Sequence, residues 1–269
     1  MKKQYRRRLL GFLMVIVCFV GVVGRSVWVF NRKSVAIGIE TARQELRVEA
    51  MSNGQIIQSQ YIDMTNSLAV LARAVTNAQI ITEENVERYI RFLAEENRFD
   101  FIGVSDAEGN ALDSSGRQVY IGNRSYFSEA MEGKVVISDV LSSKIVEGQD
   151  VQVMAVPMVK DGVPTGVVYG ILNVKNVNDS LENVTKNNIY TQIVDSKGTP
   201  VTRLKTDTWM LGSDTIWEYY RQCTFVDGSA ETVRADMSEN RSGYYTLKCE
   251  DETRITYYCL LYTSPSPRD

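Results

Sequence analysis

An unbroken apolar or small run from Leu9 to Gly24 gives way, beyond Phe30, to apolar positions on steps of three and four. Leu46, Ala50, Ile57, Tyr61, Met64, Leu68, Leu71 and Val75 fall on one helical face, and that spacing predicts a long stalk or spine helix over Ser34–Asn77, about 40 residues and about 60 Å. A second helix is predicted from Thr82, a capping residue followed by Glu83 and Glu84, to about Asn97. The period then shortens to that of strands. Apolar runs at Phe101–Val104, Val135–Leu141, Val151–Val159 and Gly166–Val174 are separated by turn residues, the last two by Lys160-Asp161-Gly162, the signal of an antiparallel hairpin.

One local pattern repeats. An apolar strand runs into Asp106-Ala107-Glu108-Gly109, and 89 residues later Tyr190–Val194 runs into Asp195-Ser196-Lys197-Gly198. In each copy Asp caps the turn and Gly takes a positive φ. With a helix expected around Glu218–Tyr220 and strands at Gly243–Cys249 and Arg254–Tyr258, the pattern reads as an α+β chain: an N-terminal transmembrane helix, a stalk helix, and two PAS-like antiparallel-sheet lobes, the second truncated. The expected boundaries are 1–33 for the basic flank and anchor, 34–77 for the stalk, 78–175 for the first lobe, 176–188 for a connector and 189–258 for the second lobe. Residues 259–269, Cys259-Leu-Leu-Tyr-Thr-Ser-Pro-Ser-Pro-Arg-Asp269, read as a translated sequencing adapter, so the natural protein is expected to continue beyond Tyr258.

Charge orients this arrangement. Residues 1–33 hold eight Lys/Arg and no acid, so the net charge of −3 leaves −11 on the remainder. An acidic body disfavours nucleic acid, and none is expected as a partner. Sixteen helical residues cover about 24 Å of a hydrocarbon core of about 30 Å, so an anchor over residues 9–30 must run on toward Trp28 and Phe30. The basic flank keeps the N-terminus cytoplasmic and sends the lobes outside. A cleaved signal peptide is the competing reading, opposed by Arg25 and the lack of an Ala-x-Ala site. The stalk's apolar face serves its own domain's core or a homodimer seam.

The chain has no His, which removes the His-based catalytic triads and the commonest zinc ligand. No phosphate-cradling glycine motif occurs, so no catalytic residue, metal or cofactor is expected. The four cysteines have no zinc spacing, and Cys223 and Cys249 either pair or remain thiols. The candidate site is a cluster for binding, not turnover. Arg124, Tyr126 and Phe127 put one fixed cation and two aromatic faces at helical spacing, with Ser138, Asp139 and Tyr169 on the strand patterns that follow. Each has a structural alternative: the aromatics as core, and Arg124 as a tie to a loop carbonyl or to Asp139.

In order and spacing, Arg124-Ser125-Tyr126-Phe127, Gly133, Ile137-Ser138-Asp139, Ala155-Val156-Pro157, Asp161-Gly162 and Gly166-Val167-Val168 resemble the membrane-distal lobe of the double Cache (dCache) sensor family, over roughly Ser34 to Tyr258. That family lies outside the membrane in bacterial chemoreceptors, sensor kinases and diguanylate cyclases. The resemblance implies an extracytoplasmic small-molecule sensor and, among outputs, favours a diguanylate cyclase with a GGDEF domain. The alternatives are a chemoreceptor, a histidine kinase, a tethered binding module without output, or an anchored enzyme whose site cannot be assembled from these residues. Amino-acid binders of the family are implied to use an Arg for the carboxylate, an aromatic beside it, and an Asp on the last strand for the ammonium. Here those positions hold Arg124, Tyr126 and Ile171, and an upstream Tyr position falls on Val119 or shifts to Tyr120. A carboxylate or other small polar metabolite without an ammonium is therefore the expected ligand.

Overall fold

The three-and-four spacing forms a helix, α1 (Lys2–Asn77), and the chain divides inside it into two compact units, Met1–Glu49 and Ala50–Asp269. The computed structural model describes residues 2–77, 83–96, 99–143, 149–175, 189–202, 210, 213–250 and 252–261, with the backbone alone for residues 2–13, 15, 83 and 84. In the first unit the apolar side chains of Phe19, Trp28, Phe30 and Val35 are exposed, and the Arg32 guanidinium stacks 4.2 Å from the Trp28 ring centre. Among the described residues no helix is long and apolar enough to cross a membrane. The early part of the Leu9–Gly24 run falls on residues described by backbone alone.

In the second unit Ile57, Tyr61, Leu68, Leu71 and Ala72 of α1 are buried. With Ile90 and Ala94 of α2 (Glu83–Glu96) they cover one face of a seven-stranded sheet. Its strands are β1 (Phe101–Ser105), β2 (Asn110–Asp113), β3 (Gln118–Tyr120), β4 (Val136–Ile137), β5 (Leu141–Ser142), β6 (Asp150–Lys160) and β7 (Val163–Asn173). Their order is β3-β2-β1-β7-β6-β4, with β5 also on β6, and every pairing is antiparallel. The β6–β7 hairpin turns on Asp161 (φ 52°) and Gly162 (φ 80°), the two positive-φ positions that an Asp-Gly turn supplies.

Alternation along the strands sorts the core. Ile102, Met154, Val156, Met158, Val168 and Leu172 face α1 and α2. Phe101, Val153, Ala155, Val167, Tyr169 and Ile171 face the other way, under the short helix α3 (Ser125–Met131). A sheet buried on both faces needs apolar residues at consecutive positions, which is why β6 and β7 read as unbroken apolar runs.

The second lobe has a three-stranded sheet, β10-β9-β8, made of β8 (Thr224–Asp227), β9 (Gly243–Cys249) and β10 (Glu252–Tyr258). Two short helices, α4 (Ile216–Arg221) and α5 (Ala230–Ser238), are capped by Thr215 and Ser229, whose side chains accept from the amides of Glu218 and Thr232. Its core is aromatic: Tyr219, Tyr220 and Tyr245 are buried with Ile216, Val233 and Leu247, and the hydroxyls of Tyr220 and Tyr245 satisfy each other at 2.5 Å. Cys223, at the end of α4, and Cys249, at the end of β9, form a disulfide. That resolves the alternative the sequence leaves open.

The observed elements form a mixed α+β chain, a long N-terminal helix followed by antiparallel sheets. Two strand expectations are corrected. Val135–Leu141 is not one strand but two pairs of residues, β4 and β5. Between them the Ser138 amide still bonds the Val153 carbonyl (2.8 Å), while its hydroxyl accepts from the Val153 amide (2.9 Å) and donates to the Asp139 carbonyl (2.7 Å), so a side chain takes one of the two ladder bonds. Tyr190–Val194 forms only an isolated bridge, Val194 to Pro200. The connector expected over 176–188 lies outside the described residues.

Asp-x-x-Gly turns occur three times, at Asp106, Asp113 and Asp195, each closed by a bond from the glycine amide to the aspartate carbonyl (3.3, 2.9 and 3.0 Å). In the copy the sequence reading passed over, the fully buried Asp113 carboxylate accepts from the Ser115 amide and hydroxyl (2.9 and 2.6 Å), the Arg117 amide (3.1 Å) and the Arg117 guanidinium (2.9 Å). Burial alone would raise its pKa, but these bonds outweigh it and hold the carboxyl below its usual range.

Two outcomes are expected. The Cys223–Cys249 bridge spans 26 residues, so Cys249→Ser should cost about 3 kcal/mol in denaturant unfolding, matched by reducing the wild-type protein. A lowered native pKa gives stability that is present above the unfolded value, 3.8, and lost as pH falls through the native one. Asp113→Asn should therefore lose about 2 kcal/mol at pH 7, and the gap to wild type should narrow in melts taken below about pH 3.8.

Candidate functional site

The site is built where the first sheet passes into α3. The Ile121 amide bonds the Gly109 carbonyl (2.8 Å) and the Arg124 amide bonds the Ile121 carbonyl (3.0 Å), so the strand ends in a turn fixed from both sides. Arg124 takes an extended conformation at the helix N-cap, and its carbonyl accepts from the amides of Phe127 and Ser128 (3.1 and 3.2 Å). One turn of helix then carries Tyr126, Phe127 and Ala130 inward over the sheet, while Arg124 stays half-buried at its edge.

Tyr126, Phe127 and Tyr169 thus meet on one face, with Phe101, Ala111, Val119, Ile121, Val153, Ala155, Val167 and Ile171 around them. The Tyr126 and Tyr169 rings lie 6.3 Å apart and tilted, inside the range of favourable aromatic pairs. Burial pushes the Tyr126 hydroxyl's pKa up, and the Arg124 charge opposes part of that rise. Among the described residues no carboxylate pairs with the Arg124 guanidinium. A second arginine borders the face: Arg117 lies 4.9 Å from the centre of the Phe101 ring, its charge matched by Asp113. Nothing in the strand periods singles out Arg117. The signal that could have found it is the Asp113-Ser114-Ser115-Gly116 turn immediately before it.

Ser138 and Asp139 go elsewhere. The Tyr61 hydroxyl on α1 donates to the Gln152 side chain (2.6 Å), which donates in turn to the Ser138 carbonyl (3.2 Å). The Asp139 carboxylate accepts from the Ser196 hydroxyl (2.8 Å) and pairs with Lys197 (3.2 Å) of the second lobe, and Asp195 accepts from the Val140 amide (3.2 Å). Further along α1, Asn53 donates to Thr191 (2.8 Å). The segment 138–140 is therefore the place where α1, the first sheet and the second lobe are joined by hydrogen bonds. The structure brings Tyr126, Phe127 and Tyr169 together, leaves Arg124 half-buried at the N-cap of α3, and pairs Asp139 with Lys197.

No protein-family model and no curated protein matches the chain. Solved structures do share its fold. The extracellular domain assigned to histidine kinase mmHK1S-Z2 aligns with a TM-score of 0.65 at 13% identity, over 83% of this chain and 93% of that one. The ligand-binding domain of Pseudomonas fluorescens chemoreceptor CtaA, in complex with L-serine, aligns at 0.62 and 16%, over 80% and 88%. That of the Pseudomonas aeruginosa PAO1 amino acid chemoreceptor PctB, with L-Arg, aligns at 0.61 and 16%, over 80% and 87%. At such identities the likeness is one of fold: this chain has the architecture of that extracellular kinase domain and of those chemoreceptor ligand-binding domains.

Proposed function

We propose that this chain is the extracytoplasmic small-molecule sensing region of a membrane-bound signal-transduction receptor, with its ligand held between α3 and the first sheet. The observation that carries the reading is Arg124, a half-buried cation without a carboxylate partner among the described residues, beside Tyr126 at the rim of an otherwise apolar face. A fixed guanidinium in such surroundings is a bidentate receptor for a carboxylate. The neighbours' ligands, L-serine and L-Arg, each carry one. Tyr126, Phe127 and Tyr169 would wall the ligand in.

In this reading residues 9–30 anchor the chain with its N-terminus cytoplasmic, and α1 connects the anchor to the sensing sheet and offers a seam for a homodimer. Sensing requires two packings of different ligand affinity. The contacts of Asp139 and Asp195 supply the means by which the first sheet reports to the second lobe. The output suggested by resemblance is a diguanylate cyclase. The solved neighbours, domains of chemoreceptors and of a histidine kinase, favour those outputs as the second reading.

The test is a calorimetric titration of the full chain, purified in mild detergent, with a panel of small carboxylates. Wild type should bind at least one, and Arg124→Ala should lose about 10- to 100-fold in affinity, the worth of a charge-assisted hydrogen bond, with its ligand-free melting temperature retained. If Arg124→Ala and Arg124→Gln both unfold, or if both bind like wild type, the arginine is structural and the reading fails.

A further inference from the structure

The face under α3 holds a polar group that no described residue satisfies. Tyr169 is 1% exposed, and its hydroxyl is buried with no hydrogen-bond partner. Buried polar groups in folded proteins are nearly always bonded, so an exception calls for an explanation.

Register supplies part of it. Ala155, Tyr169, Gly103 and Asp113 form one row across β6, β7, β1 and β2. The ring reaches from β7 onto β1, where a Cβ on Gly103 would lie 2.3 Å from Tyr169 Cζ and 2.4 Å from its hydroxyl oxygen. Only glycine permits that approach, and the small Ala155 flanks the ring on the other side. Of the residues around it, Phe101, Val153, Val167 and Ile171 offer no side-chain donor or acceptor, and Tyr126, Asp113 and Arg117, near enough to act on its charge, make no hydrogen bond to it. Burial pushes the phenol's pKa well above its ordinary value, so it stays neutral, able to donate or accept a hydrogen bond but not to supply negative charge.

The acids near this face are committed. Asp113 is held by Ser115 and Arg117, and Asp139 by Ser196 and Lys197. Ile171, on the same face two residues beyond Tyr169, is apolar. Among the described residues this face has no free carboxylate with which to neutralise an ammonium.

We propose that Tyr169 determines the ligand's chemistry: the site takes a small carboxylate that also carries a neutral oxygen, a hydroxyl or a carbonyl, hydrogen-bonded by the Tyr169 hydroxyl, in place of an amine. The proposal rests on Arg124 as the carboxylate anchor. In this proposal the carboxylate meets Arg124 at the rim and the neutral oxygen meets the phenol at the sheet, the two groups that a 2-hydroxy or 2-oxo acid carries. An amino acid would bury its ammonium without a counter-charge, and a bare acid would leave the phenol unmet. Sites built to bond a substrate oxygen reject analogues lacking it, because their own polar group is then stranded.

The test titrates two matched series into the full chain in mild detergent: propionate, lactate, pyruvate and alanine; then isovalerate, 2-hydroxyisovalerate, 2-oxoisovalerate and valine. In at least one series an oxygenated acid should bind about tenfold tighter than the bare acid, and the amino acid should bind worst. In Tyr169→Phe the oxygenated acids should fall to the affinity of the bare acid. The proposal is overturned if bare and oxygenated acids bind alike, if the amino acid binds best, if Tyr169→Phe keeps the preference, or if that variant's ligand-free melting temperature drops sharply, which would make the hydroxyl structural. If none of the eight binds wild type, the proposal falls as well. Titration of Arg124→Ala with the broader carboxylate panel then shows whether the anchor reading falls with it.

Discussion

Everything in the first lobe depends on covering one sheet from both sides. β6 and β7 are eleven-residue strands paired along nearly their whole length, and strand geometry sends alternate side chains to opposite faces. Had either face been left to solvent, half of each strand would have been polar. Instead α1 and α2 take the even positions, where Leu68, Leu71 and Ile90 close on Met154, Val168 and Leu172. The odd positions are left to α3, a helix of seven residues.

That asymmetry makes a site possible. A face closed by a long helix is filled by its side chains, and each buried Leu or Ile adds about 1.5–3 kcal/mol as an upper estimate. A short helix covers less. It brings Tyr126 and Phe127 down on Tyr169 and Ala155 while holding Arg124 at the margin. In the proposed reading stability and recognition are divided between the two sides of the same strands, and a residue's parity decides which it serves.

The two lobes are joined at the interruption between β4 and β5. At Ser138 the amide still bonds the Val153 carbonyl, but the Val153 amide goes to the Ser138 hydroxyl; beyond that point the Val140 amide bonds Asp195 and the Asp139 carboxylate bonds Ser196 of the second lobe. A continuous strand would have spent the Val140 amide on its own ladder. The same break receives Gln152, and through it Tyr61 of α1.

Local signals were enough for the helix from the three-and-four spacing, the hairpin from Asp161-Gly162, the helix entry at Arg124 and the inward aromatics, because each depends on residues close together in the chain. Others were not legible. The second lobe's Tyr190–Val194 looks like a strand but has no continuous partner among the described residues, and pairing is a property of two segments. Whether Cys223 met Cys249 depended on α4 and β9 ending side by side. Asp139 has the composition of a ligand residue, yet its direction was decided by Lys197, 58 positions away. Tyr169 could be named from its strand, but only the row Ala155, Tyr169, Gly103 and Asp113 revealed that its hydroxyl lies over a glycine without a partner. Sequence fixes periods, turns and charge because these act over a few residues; which polar groups find partners is set by register and packing between distant segments, and only the tertiary structure decides it.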